Sequence, residues 1–359
     1  MKRKNIKTWG RRCAALLCLP LVGVVCNGTG LGQRLALMAA GLRSPVGTVT
    51  LLDERLSADA LAGGLPLTPF EGIGDTTAVD VPVGAPTVQL PPITMTAPPE
   101  NRGDGGRLVE KTMTTGNRQK GIATLNRSGT TVDIAAALST QLSLRWNKTD
   151  QPQVLILHTH TTEAYMTYEA DYYNAADRQR THDHTRNVCA VGEAVRLALA
   201  AYGINTIHDT TVHDNPVYSG AYGRSAEAAE KWLKEYPSIQ VVLDLHRDSI
   251  EDGGAIVRPT ATVAGKKAAQ MMLITGVVST EALPHPHWEQ NLTLAAHWQK
   301  ALDKISPDLM RPLNTVASRY NQHLSPGWVL VEVGAEGNTV EEAVYSAQIL
   351  GRTLAELLG

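Results

Sequence analysis

Val154-Leu155-Ile156-Leu157-His158-Thr159-His160-Thr161-Thr162-Glu163-Ala164-Tyr165 joins an unbroken aliphatic run to a polar, histidine-bearing one. Four aliphatic residues in a row, without polar alternation, read as a strand buried on both faces, the kind found in a parallel sheet. The run empties into two histidines and a carboxylate. Open α/β sheets bind ligands at the carboxyl ends of their strands, so these side chains stand where a site is expected. The pattern recurs twice. Residues 239–245 read as a buried strand that runs into His246, Arg247 and Asp248, and residues 328–331 read as one that ends in Glu332. Three strand ends thus deliver His and Glu, His and Asp, and Glu, which is the inventory of a mononuclear zinc hydrolase.

Outward from this stretch the periodicity alternates. Residues 187–202 carry apolar side chains at Val188, Val191, Val195 and Leu199 and end at Gly203. That is an amphipathic helix with a glycine just past its end. A strand at 204–207, a helix at 225–236 and the strand at 239–245 follow. Then come a strand at 270–278, a helix at 291–305, the strand at 328–331 and a long closing helix at 339–358. Residues 122–146 read as short strands and a helix leading into this series. Such alternation predicts an α/β fold, a three-layer, mostly parallel sheet with helices on both faces.

The chain has 359 residues, enough for one large domain or two ordinary ones. A net charge of −2 gives no global pull toward nucleic acid or an anionic membrane. Of the four cysteines, Cys13, Cys18 and Cys26 share one N-terminal apolar segment, and Cys189 stands alone. A single cysteine at an apolar helical position reads as a small core residue, so neither a disulfide nor a Cys-rich metal site follows.

Lys2, Arg3, Lys4, Lys7, Arg11 and Arg12 precede an apolar run over 13–26, the layout of a secretory signal. The run is short of the ~20 residues of a full span, but no small-x-small cleavage site follows it. Residues 1–45 read as an uncleaved signal-anchor, with a cleaved signal as the rival. Either way the rest of the chain lies outside the cytoplasm, at the cell membrane if the anchor stays. Residues 46–106 hold the Pro-, Gly- and Thr-rich stretch and read as an extended extracytoplasmic linker. The hydrolase domain is expected over 107–359.

A catalytic zinc takes three protein ligands from His and carboxylate and keeps a fourth position open. His160, Glu163 and His246 supply a His-x-x-Glu pair and a distant His, with Asp183 and His184 as rivals for the third place. His158 and His160 point the same way if the strand persists, and diverge if it ends at His158. Glu332 is the prospective general base, able to take a proton from the attacking water and pass it to a departing amine. Asp248 is next in line for that role. Arg247 is suited either to gripping a substrate carboxylate or to pairing with Asp248 or Asp244.

Residues 152–165, 187–192, 244–249 and 331–343 together resemble the stage II sporulation protein P family, with the same blocks in the same order over roughly 120–359. The basic, apolar N-terminus and Pro-rich linker match that family's layout. The resemblance implies a zinc-dependent N-acetylmuramoyl-L-alanine amidase with added DD-endopeptidase activity. It implies a membrane-anchored enzyme that works with stage II sporulation proteins D and M to thin septal peptidoglycan during engulfment. The implied fold is that of the amidase/carboxypeptidase-like zinc hydrolases. Carried over by motif, His160 and His246 are the expected zinc ligands and Glu332 the catalytic carboxylate. The third ligand is Glu163 by the carboxypeptidase-like pattern, which we prefer, or Asp183 or His184 by the pattern of related amidases. Arg247 and Asn338 are candidate substrate contacts. Two other classes compete: a secreted metallopeptidase acting on proteins, and a non-catalytic peptidoglycan-binding scaffold.

Overall fold

The computed structural model describes residues 90–359 apart from 101 and 179. The expected signal-anchor, its three cysteines and the expected linker up to residue 89 lie outside the described residues. Among the described residues, no helix is long and apolar enough to cross a membrane.

In chain order the elements are β1 (Gly106–Lys111), β2 (Asn117–Gln119), β3 (Ile122–Arg127), α1 (Ile134–Ser139) and β4 (Val154–Leu157). β5 (Tyr172–Tyr173), α2 (Val188–Ala200), β6 (Thr206–His208), α3 (Ala221–Glu235) and β7 (Val241–Asp248) follow. β8 (Glu251–Asp252), β9 (Ala255–Val263), β10 (Lys266–Ala269) and β11 (Met271–Gly276) precede α4 (Trp288–Ile305). β12 (Leu313–Val316), β13 (Trp328–Ala335) and α5 (Val340–Leu358) close the chain.

The large sheet runs β2-β3-β12-β11-β13-β7-β4-β6. It holds two parallel blocks, β3-β12-β11 and β13-β7-β4-β6, which meet antiparallel between β11 and β13, with β2 added antiparallel on the β3 edge. Strand parity sorts the core. Val154 and Ile156 join the cluster that holds Val188, Val191 and Val195 of α2, whereas Leu155 and Leu157 join the cluster beneath Ala229 of α3. Successive side chains of a strand point to opposite faces, so a strand covered on both must be apolar throughout. Each fully buried aliphatic side chain contributes ~1.5–3 kcal/mol. The three-layer, mostly parallel sheet is thus as expected.

The chain leaves β4 through α2 to reach β6 on one side and returns through α3 to β7 on the other. β4 is therefore the switch point of the sheet, and a crevice opens at the carboxyl ends of β13, β7 and β4. Helix ends are set locally. The Asn187 side chain accepts the Cys189 N–H to cap α2, and Thr339 and Glu342 form a reciprocal capping box on α5.

A second sheet, β10-β9-β1-β5 with β8 on β9, was not expected from the sequence. Tyr345 and Ser346 of α5 tie it down by donating to the Val263 and Ala269 carbonyls. The last part of the Pro-rich segment lies against the body. Thr94 and Thr96 N–H donate to the Thr185 and Thr167 carbonyls, and Ile93 and Met95 pack on the core.

Candidate metal centre

β4 ends at Leu157, and the two histidines after it diverge. His158 keeps the strand's parity and turns under α2. Its Nδ1 lies 2.9 Å from the Leu245 carbonyl and its Nε2 2.9 Å from Nε2 of His208. A Cβ on Gly192 of α2 would sit 2.7 Å from that ring and 2.4 Å from His208, so only glycine leaves room for the pair. His160 instead enters the crevice. The Glu163 N–H donates to the His160 carbonyl at 3.1 Å, closing a β-turn. That turn is what a three-residue spacing needs to present both side chains to one point.

His246 arrives from β7. Donor atoms of His160, Glu163 and His246 lie within 4.8 Å of one another. Glu163 Oε1 stands 3.3 Å from His160 Nδ1, and Oε2 3.5 Å from His246 Nδ1. Glu163 is held in place by the Arg247 backbone N–H, which donates to Oε2 at 3.0 Å. Behind His246, Nε2 lies 2.9 Å from Oδ1 of the fully buried Asp244, itself fixed by the N–H and hydroxyl of Thr159. Asp244 thereby leaves Nδ1 as the nitrogen of His246 that faces the other two donors. A carboxylate behind a ligating histidine is the outer-shell arrangement that orients metal sites. Two imidazoles and a carboxylate are also the donor set zinc accepts in catalytic sites. The residues fit the ion.

The electrostatics agree. Burial pulls His246 down, but the charges of Asp244 and Glu163 outweigh it and hold its pKa well above the ordinary range, so a metal would have to displace a proton from it. Burial lowers His160, only partly offset by Glu163, which favours the neutral form a metal requires. Glu163 is kept well below the usual carboxylate range because its hydrogen bonds to the two histidines outweigh its burial.

Glu332 of β13 lies opposite His246 in the parallel register. Its Oε2 is buried without a hydrogen-bond partner, and burial, followed by the charge of Asp248, lifts its pKa to about 8. Asp248 is buried and paired with Arg311 at 2.7 Å.

The other expected residues fall elsewhere. Asp183 is exposed and accepts from its own loop through Thr185, and His184 is exposed beside it. Neither joins the cluster. Arg247 is buried, at 8% exposure. Its Nε donates to the Ala164 carbonyl, its guanidinium lies 3.9 Å from Glu336, and it pairs with neither Asp248 nor Asp244. Asn338 is fully buried; its amide donates to the Pro259 carbonyl and Glu342, and its oxygen accepts the Ala335 N–H. It holds the start of α5 to the sheets.

Arg180, Tyr218 and Tyr222 also touch the cluster, which the sequence did not reveal. Tyr218 stacks on His160 at 4.5 Å between centroids, Tyr222 meets it edge-on at 5.6 Å, and Arg180 lies 3.7 Å from Glu163. All three come from outside the strand ends. Only Tyr218 carries a signal, the Asp- and Pro-bearing loop between β6 and α3; Arg180 precedes α2 and Tyr222 stands in the first turn of α3.

The sequence matches the stage II sporulation protein P family over residues 99–355. It is 26% identical to stage II sporulation protein P of Bacillus subtilis (strain 168) over 219 residues, 58% of this chain and 51% of that protein. The chain thus spans about half the length of the curated relative it matches. Among solved structures it is similar to an N-acetylmuramyl-L-alanine amidase of Mycobacterium smegmatis (18% identity, 60% of this chain and 99% of that one, TM-score 0.36). It is also similar to an N-acetylmuramoyl-L-alanine amidase of Clostridium difficile 630 (13% identity, 58% and 94%, TM-score 0.33). The match over residues 99–355 takes in β4, β7 and β13 and every residue of the crevice, and the chain belongs to the stage II sporulation protein P family.

Proposed function

We propose that this chain is a zinc-dependent peptidoglycan hydrolase of sporulation, an N-acetylmuramoyl-L-alanine amidase with DD-endopeptidase activity. The observation that carries the reading is the meeting of His160, Glu163 and His246 at one point, with an unpartnered Glu332 on the next strand. These three side chains would hold the ion. A bound zinc supplies Lewis acidity, polarising the scissile carbonyl.

The chain's own groups do the rest. Glu332, raised to about 8, exchanges a proton near neutral pH. In the proposed reaction its carboxylate takes a proton from the attacking water and returns it to the departing amine nitrogen. Asp244 keeps His246 oriented, and Tyr218 and Tyr222 wall the crevice. Family membership supports peptidoglycan as substrate and stage II sporulation proteins D and M as partners. The basic, apolar N-terminus supports a single-pass membrane anchor with the catalytic domain outside the cytoplasm.

The test is digestion of purified sacculi by the zinc-loaded protein, with a denatured protein as the alternative substrate. Release of free stem peptides without proteolysis is expected. Proteolysis with intact sacculi would replace this reading with a secreted metallopeptidase. Loss of neither substrate would leave a peptidoglycan-binding scaffold.

A further inference from the structure

Every carboxylate around the crevice whose side chain meets a cation there is hidden. Glu163 is 7% exposed, Asp214 0%, Asp244 0% and Asp248 4%. Arg180 is 33% exposed. A ligand approaching the mouth therefore meets a guanidinium, while the negative charges lie behind it.

The guanidinium is also held rigidly. One terminal nitrogen donates to Asp214 Oδ2 at 2.5 Å, and Asp214 is fixed in turn by the N–H and hydroxyl of Thr162. The Tyr218 ring lies 4.7 Å beneath its carbon, a cation–π contact, and the same ring stacks on His160. The other terminal nitrogen stands 3.7 Å from Glu163 Oε1, beyond hydrogen-bond length. That nitrogen stays beside the donor cluster with hydrogen-bonding capacity to spare.

We propose that Arg180 is a substrate-binding residue that selects for a free carboxylate in the peptide next to the scissile amide, which makes an acidic muramoyl peptide the preferred substrate class. The inference rests on the hydrolase reading and deepens it. Asp214 and Tyr218 fix the fork, so little side-chain entropy is lost when the carboxylate docks. Charge-assisted hydrogen bonds of this kind correspond to a ~10- to 100-fold preference.

The test uses two soluble N-acetylmuramoyl tripeptides identical except that the carboxyl group on the second residue is free in one and amidated in the other. The zinc-loaded wild-type protein is expected to favour the free acid ~10- to 100-fold in kcat/KM. Calorimetric titration of the metal-free protein, which does not turn the peptides over, is expected to show the same preference in Kd. Arg180→Gln should bring both ratios close to one, and Arg180→Lys should keep part of the preference, because it retains the charge without the fork. A purely structural Arg180 would lower stability or zinc content and leave the acid-to-amide ratio intact. An unchanged ratio in either variant, or no preference in wild-type binding, overturns the proposal. Arg180-dependent acid selection in binding with no cleavage of either peptide would sink the hydrolase reading and leave this inference standing.

Discussion

Two glutamates ten positions apart show how differently this fold treats buried charge. Glu342, at the junction of α5 with the small sheet, has both oxygens engaged. Oε1 accepts from Arg258 at 2.7 Å, and Oε2 from the Asn338 amide at 2.9 Å and the Thr339 N–H at 3.1 Å. Glu332, in the crevice, leaves Oε2 without a partner beside another buried carboxylate. A buried polar atom left unsatisfied carries a penalty of ~1–3 kcal/mol. Glu342 holds the fold together, whereas Glu332, on the proposed mechanism, would draw on that stability for reactivity. Asp248, its neighbour, stands between the two: it pairs with Arg311 at 2.7 Å, yet burial still raises its pKa.

Neutralising each glutamate should have opposite consequences. Glu332→Gln is expected to lower turnover on sacculi by ~10²–10⁴-fold, the range of a general acid–base group. Zinc content should be unchanged, and stability at neutral pH unchanged or raised. Near-wild-type turnover in that folded, zinc-loaded variant would make Glu332 structural. Glu342→Ala should do the reverse. It strips Arg258 of its buried partner and removes the capping box, a loss of ~3 kcal/mol in urea unfolding. Turnover per folded, zinc-loaded molecule should hold. A stable Glu342 variant would erase the distinction.

A smaller effect sharpens the same contrast away from both sites. His285 is fully buried, and burial pushes its pKa down to about 4. Between that value and the ~6.5 of an unfolded histidine, the unfolded chain binds the extra proton. Stability therefore rises with pH across this window, and the His285 contribution is present above it and lost as pH falls through it. His285→Leu should flatten the slope of the urea midpoint between pH 4.5 and 6.5, roughly that window. An unaltered slope would assign the dependence to other groups.

Much of the site was legible because it sits on elements that the sequence announces. Val154–Leu157 is buried on both faces, and a strand with no polar face has few alternative readings. His160, Glu163, His246 and Glu332 follow from where such strands end. The small sheet was not legible. β9 carries Pro259, a residue that argues against a strand, and the β9–β10 turn uses Ala264 and Gly265 at positive φ rather than the Asn-Gly or Asp-Gly signal of a hairpin. Arg180 and Tyr218 were illegible for another reason. Their positions depend on Asp214 anchoring one loop to another, a contact between residues 34 positions apart that no local pattern encodes. Arg247 looked like a substrate contact because a guanidinium at a strand end can grip a carboxylate, and Asn338 because it follows a glycine-bearing strand end, yet the hydrogen bonds they make turn inward.

If His160, Glu163 and His246 form one metal centre, zinc stoichiometry after dialysis against a chelator must depend on each of them. The wild-type protein and Asp183→Ala should each retain one equivalent per chain, while His246→Ala and Glu163→Ala should lose it with the fold intact. A full equivalent retained by His246→Ala, or zinc lost from Asp183→Ala and kept by Glu163→Ala, would contradict the assignment.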